Sequence, residues 1–318
     1  MVGTHPHLNT HINTVCNDNK NADDYHIVLL AIYSVVLLSG TISLSLMIHI
    51  MKSSKMSTTT IAVHNLIFTH FIFLLTVPFR IYYYASNHWS LSSEFCKVVS
   101  GMIHIHMYMS FIFYVIIIVM RLLTFYYKAE QVAPFNRIHA LLVSAVVWIV
   151  VLVVVPLIMY YYYGKNAEDK SLNNSTTVET HCFKFGKHII YHGKAFNYIV
   201  SPVIIVVATV LTSLQANVVR VLYRKHPQGC TYQQEFGAQL NGLCFALIMA
   251  ICFIPYNIFR LNYLENIQLE NINELFLSLT TLNCLDMLTF LGNRNFDHWM
   301  LWLCAMCLDL HPGLRLAR

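Results

Sequence analysis

Charge is what this 318-residue chain has least of: 11% of its residues are Asp, Glu, Lys or Arg, where soluble domains average about 25%. A scarcity that deep, beside 57% hydrophobic residues, excludes an ordinary water-facing globule and puts the chain in a membrane. The sequence also lacks internal repeats, low-complexity tracts and any linker long enough to divide it into domains. Its first 26 residues, MVGTHPHLNTHINTVCNDNKNADDYH, contain no apolar core of the kind a cleaved secretory signal needs, so the first apolar run is expected to act as an uncleaved signal anchor. Nothing resembles a hydrolase triad, a phosphate loop or an intramembrane zinc motif, so no enzyme, no cofactor and no nucleic-acid partner is expected.

What is present is seven apolar runs, at about 27–51, 58–84, 93–127, 137–160, 190–224, 232–264 and 270–292. Each is long enough to cross about 30 Å of hydrocarbon as a helix. The expected fold is therefore an all-α integral membrane protein, a bundle of seven transmembrane helices, with residues 1–26 as an extracellular tail and 293–318 as a cytoplasmic segment. Placing the amino terminus outside puts eleven basic residues against four acidic ones on the inner side, and nine against ten on the outer side. That asymmetry agrees with the positive-inside rule. The longest loop, Tyr161 to Lys187, then lies outside, where the overlapping sequons at Asn173 and Asn174 make physical sense as glycosylation sites.

Cys96 lies at the outer end of the third run and Cys182 in that outer loop, so an oxidising exterior would join them; two free thiols are the alternative. Cys16 has no evident partner. From Cys96, Arg121 is 25 residues on, roughly 37 Å of helix, which exceeds the hydrocarbon thickness. Arg121 therefore sits at the cytoplasmic mouth rather than at the midplane, where a guanidinium would cost on the order of 3 kcal/mol or more.

In order and spacing these features resemble the rhodopsin-like (class A) G-protein-coupled receptors from about Ile27 to Cys307. The resemblance rests on NLIFTHFIFLLTVPF with Pro78 in the second run, Trp89, Cys96, VMRLL around Arg121, Trp148, Pro202, CFIPY at Cys252 to Tyr256, LDMLTF at Leu285 to Phe290, and Phe296. It implies a receptor at the plasma membrane that binds an extracellular ligand and activates a heterotrimeric G protein through outward movement of the sixth helix, with a short amphipathic eighth helix. In the family's pattern Phe253, Pro255, Asp286 and Phe290 would belong to the activation switch; for Phe253, core packing coexists with that role. The sequence names neither the ligand nor the G-protein subtype. A seven-helix transporter or channel is the competing class, but only His70 and Asp286 lie deep and the two halves show no symmetry.

Departures from the pattern carry their own expectations. Met120 stands where the family has an acidic neighbour for the arginine, so Glu235, at the cytoplasmic foot of the sixth helix, is the expected partner of Arg121 in an inactive-state lock; two solvated charges at the membrane rim are the alternative. His70 replaces the aspartate of the family's sodium site, and imidazole suits a hard cation poorly. A hydrogen-bonded His70–Asp286 pair is expected in its place, beside the plainer possibility of a structural histidine.

In the outer pocket His104 stands where amine receptors carry an aspartate. Arg80 and Arg260, with Tyr256 nearby, would suit an anionic ligand through bidentate bonds, or would snorkel to headgroups. No metal site is expected despite seventeen histidines, since His104 and His106 point to different faces of one helix. Cys304 and Cys307 are expected palmitoylation sites on the inner membrane surface, or else reduced thiols.

Overall fold

Proline and short capping side chains decide where the helices of this chain begin and break. The computed structural model describes residues 6–52, 57–127, 137–162, 182–183, 191–225 and 234–291. Helix α1 spans Pro6–Met51, so the polar segment expected as a tail continues the helix of the first crossing. Ser57 caps α2 (Thr58–Leu74), its hydroxyl accepting from the Thr60 amide. Pro78 has no amide proton to give the preceding turn, and the second crossing breaks there. Thr76 folds back, its amide and hydroxyl both donating to the Phe73 carbonyl at 2.8 and 2.7 Å, and α3 (Val77–Ser86) restarts with the proline in its first turn. Asn87, in the left-handed region at φ 53°, ends it.

Ser92 caps α4 (Ser93–Tyr126). There follow α5 (Arg137–Tyr162), α6 (Tyr191–Lys225) and α7 (Gln234–Glu265), the last two running through Pro202 and Pro255. The seventh crossing is composite. A 3₁₀ turn at Ile267–Leu269 leads into α8 (Glu270–Thr280), which tightens into a 3₁₀ run at Thr281–Leu291. Three hydroxyls flank that change, Ser278, Thr280 and Thr281, each donating to the carbonyl three residues back at 2.6–2.7 Å, which draws the backbone toward the tighter helix.

Six crossings are long and apolar enough to span a membrane, α2 and α3 counting together as Thr58–Ser86. With the composite seventh they form an all-helical bundle, and the described residues contain no strand. Helix α4 is its axis: it touches α2, α5, α6, α7 and the 3₁₀ run and buries Val99, Ile103, His106, Phe113, Tyr114 and Ile117 among others. Helix α5 is the opposite case, with Ile138, Leu142, Val146, Ile149 and Val150 exposed, as a helix facing lipid requires.

Asn65 fastens α5 to α2. Its amide donates to Ser144 Oγ at 3.1 Å and accepts from Trp148 Nε1 at 2.9 Å. Interhelical hydrogen bonds in membranes contribute about 1 kcal/mol or less each. Asn65→Leu should therefore lower the thermal unfolding midpoint in nanodiscs by a few degrees without unfolding the bundle, and an unchanged midpoint would show that these two bonds hold nothing.

Candidate functional site

The polar side chains of the bundle fall in three layers along α4. At the end where α4 begins, here called the outer end, Cys96 and Cys182 form the disulfide, with Cα atoms 5.9 Å apart. The bond delivers Phe183, held at φ 72° and buried, onto the outer face of the bundle. Its ring meets Tyr83 and Trp89 edge to face, at 5.1 and 5.8 Å, and lies 4.4 Å from the guanidinium carbon of Arg80.

Arg80 is fully buried beneath that ring. It donates to Glu274 at 3.0 Å, to the Tyr33 hydroxyl at 3.2 Å and to the Val99 carbonyl at 3.2 Å. Tyr84 adds a donor to the same Glu274 oxygen at 3.2 Å. The sequence reading sets Arg80 beside Arg260 facing one cavity, and here the structure differs. A buried guanidinium requires a counter-charge, and Glu274 on α8 supplies it from inside the protein.

Arg260 is placed differently. It donates to the side-chain oxygens of Asn197 and Asn273 at 3.3 and 3.4 Å and lies 5.3 Å from the Tyr263 ring centre. It borders a small cleft lined by His104 and Tyr108 of α4, Val155 and Ile158 of α5, and Phe196 and Asn197 of α6. Two of the four expected pocket residues, His104 and Arg260, therefore meet there. Arg80 and the buried Tyr256 are not among its lining residues. One wall carries a cation and hydrogen-bonding groups and the other is apolar.

In the middle layer Asp286 of the 3₁₀ run is fully buried. Tyr114 donates to its Oδ2 at 2.5 Å and His70 Nε2 approaches the same oxygen at 3.3 Å. His70 Nδ1 in turn lies 2.9 Å from His106 Nε2. The structure thus brings His70 and Asp286 together and adds Tyr114, His106 and Cys284. Phe253 seals this layer from α7, edge to face with Phe111 at 5.9 Å and Tyr114 at 6.1 Å. Pro255, two residues on, cannot donate to the carbonyl four residues before it, and in the same stretch the Asn257 side chain bonds the Phe253 carbonyl at 2.8 Å.

At the inner end Arg121 is half-buried, and its Nε finds no hydrogen-bond partner among the described residues. Its backbone carbonyl accepts from Gln239 of α7 at 3.1 Å. Gln239 also accepts from Gln215 of α6 at 3.0 Å, and both glutamines are buried. A Cβ at Gly242 would lie 2.7 Å from Gln215 Nε2 and 3.4 Å from Arg121 Cγ, so the absence of a side chain there admits the contact. Glu235 occupies the first turn of α7 and Phe290 the 3₁₀ run, but both side chains lie outside the described residues, as do Asn173, Asn174, Cys304 and Cys307.

Sequence reasoning missed Glu274, Phe183, His106, Cys284 and the two glutamines. Glu274 was findable, since an arginine inside a crossing demands an acid; the others depend on helix rotations that no local pattern encodes.

Residues 42–287 match the family described as 7 transmembrane receptor (rhodopsin family). The chain is 36% identical over 310 residues to probable G-protein coupled receptor 141 of Homo sapiens, covering 92% of this chain and 98% of that protein. It is 27% identical over 270 residues to lysophosphatidic acid receptor 4 of Mus musculus, covering 80% and 70%. A shorter similarity, 30% over 97 residues, links it to the N-arachidonyl glycine receptor of Macaca fascicularis, covering 30% and 29%.

The Arg80–Glu274 pair yields a direct test. Breaking a buried ion pair by removing one partner costs about 3–5 kcal/mol, whereas replacing both by apolar residues is often neutral. Glu274→Gln should therefore sharply reduce folded, thermally stable receptor, and Arg80→Met combined with Glu274→Leu should recover most of it. Equal losses in the two variants would contradict the pairing.

Proposed function

Because the chain belongs to the rhodopsin family of seven-transmembrane receptors, we propose that it is a plasma-membrane receptor whose ligand is an anionic amphiphile and whose output is activation of a heterotrimeric G protein. The observation that carries the ligand class is Arg260, a buried cation on one wall of a cavity whose other wall is Val155, Ile158 and Phe196. A carboxylate or phosphate would take charge-assisted bonds from the guanidinium, aided by His104, Tyr108 and Asn197, while an acyl chain would lie on the apolar wall. Two of the similar receptors are named for acidic lipids of this form, lysophosphatidic acid and N-arachidonyl glycine.

The amino terminus faces outward in this reading, supported by the charge asymmetry and by the disulfide, whose Cys182 follows the sequons in the same loop of the sequence. Asn173 or Asn174 would carry glycan there, and Cys304 and Cys307 would take acyl chains at the inner surface. Signal transfer runs along α7. Pro255 weakens the backbone ladder beside Phe253, so the inner half of α7 can swing outward on that point, with Phe253, Asp286 and Phe290 repacking. At rest the Gln215–Gln239 pair ties α7 to α6 and to the Arg121 carbonyl, and Glu235, one turn before Gln239 on the same helix, would be the charged partner of the Arg121 guanidinium. Outward movement would release Arg121 and open a cleft for the terminal helix of the G protein.

Two outcomes test this reading in nanodiscs with purified G protein. Acyl-chain acids should stimulate nucleotide exchange, and Arg260→Ala should weaken their potency at least tenfold, the equivalent of about 1.4 kcal/mol; unaltered potency would remove Arg260 from the site. Gln239→Leu and Glu235→Ala should each raise ligand-free exchange. A chain that carries ions or solutes across liposomes but never promotes exchange would instead favour a transporter.

A further inference from the structure

His70 on α2, His106 on α4 and Cys284 on the 3₁₀ run offer one ligand atom each, all within 4.8 Å of one another, and all three residues are buried. His70 Nδ1 lies 2.9 Å from His106 Nε2, and Cys284 Sγ lies 3.5 Å from each of those nitrogens. In a tetrahedral zinc site with Zn–N near 2.0–2.1 Å and Zn–S near 2.3 Å, adjacent ligand atoms stand roughly 3.3 Å apart for N and N and roughly 3.6 Å apart for N and S. The three atoms thus trace one face of such a tetrahedron, and the two imidazoles need to part by only about 0.4 Å to complete it.

The surroundings of the triangle favour a metal over a chain of hydrogen bonds. Asp286 holds the far nitrogen of His70 and is itself held by Tyr114, the carboxylate–histidine arrangement that orients metal-bound imidazoles and points the other nitrogen at the ion. Phe73 stacks on His106 at 4.2 Å and fixes that ring. Several buried polar atoms nearby in sequence have no partner among the described residues: His106 Nδ1, the hydroxyl of Ser110 one turn along α4, and both amide atoms of Asn283 beside Cys284. Buried polar groups are seldom left unsatisfied.

We propose that His70, His106 and Cys284 bind a single Zn²⁺ ion with water as the fourth ligand. Two imidazoles and a thiolate suit this borderline cation, while Na⁺, Mg²⁺ and Ca²⁺ prefer oxygen. On binding, the Zn–S bond forms as the Cys284 S–H bond breaks, and the proton leaves to solvent; nothing is oxidised or reduced. The ion clips the second, third and seventh crossings together at the middle of the bundle. If the receptor cycle proposed above is correct, the clip opposes the repacking around Asp286 and stabilises the resting state.

The binding test does not depend on signalling. Full-length receptor in nanodiscs is loaded with Zn²⁺ alone, desalted, and analysed for metal by mass spectrometry, and in parallel loaded with Co²⁺ for its thiolate charge-transfer absorption. The expected result is about one equivalent of Zn²⁺ per chain and a cobalt–thiolate band. Metal content and band should fall at least tenfold in His106→Ala and in Cys284→Ser but persist in Cys252→Ser, whose thiol is not one of the three ligands. Folded wild-type receptor with no retained zinc and no cobalt–thiolate band overturns the proposal, whatever the variants do. So does equal retention in Cys284→Ser and wild type. A site that binds zinc without altering ligand-free nucleotide exchange keeps the metal and removes its regulatory role.

Discussion

Asp286 places a carboxyl group at zero exposure in the centre of a helical bundle, and a polar group of that kind in low dielectric survives only if other residues satisfy it. Tyr114 and His70 do so from two other crossings. Much of the architecture follows from that demand. Helix α4 must present Tyr114 and His106 on one face, which makes it the axis of the bundle. Helix α2 must bring His70 to the same depth, and its register is anchored above by the break before Pro78 and at the side by Asn65 with Trp148. The seventh crossing must deliver Asn283, Cys284 and Asp286 within four residues, and it does so as a tight 3₁₀ run that three backbone-bonding hydroxyls begin.

The outer and inner layers solve the same problem with different partners. Outside, the buried Arg80 meets an acid, Glu274, under the cover of Phe183, which the disulfide carries into place. This pairing neutralises one of the two arginines, while Arg260, beside two amides and a ring, borders a cleft with one polar and one apolar wall. Inside, the acidic neighbour common in the family is replaced by Met120. There the described contact between α4 and α7 runs through Gln239 and the Arg121 backbone, a neutral hydrogen bond whose loss costs less than that of an ion pair. Such a contact would suit the outward swing of α7 proposed above.

The bundle itself was legible in the sequence, because apolar runs of membrane length, loop charge and proline positions are local signals. Helices α4 to α7 span Ser93–Tyr126, Arg137–Tyr162, Tyr191–Lys225 and Gln234–Glu265, and the disulfide joins two cysteines expected on one side of the membrane. His70 and Asp286 could be paired because each was an isolated polar residue in an apolar run. His106 could not, since HIH puts one histidine toward the cavity and one toward the core, and choosing between them requires the rotation of α4 against α2. Arg80 was misjudged for a similar reason: its position near a helix end suggested solvent or ligand, while its partner lies 194 residues away in sequence. Gln215 and Gln239 carry no charge to mark them, and only the close approach allowed by Gly242 makes them neighbours.

The claim on which this account rests is that Tyr114 and Asp286 act as one unit joining the third and seventh crossings. A double-mutant cycle of Tyr114→Phe and Asp286→Asn, read as thermal unfolding of purified receptor in nanodiscs, measures that coupling directly. If the two side chains are partners, the double variant will lose clearly less stability than the two single losses added together, with a coupling of about 1 kcal/mol or more for a hydrogen bond to a buried carboxyl group. Strictly additive losses would contradict the account.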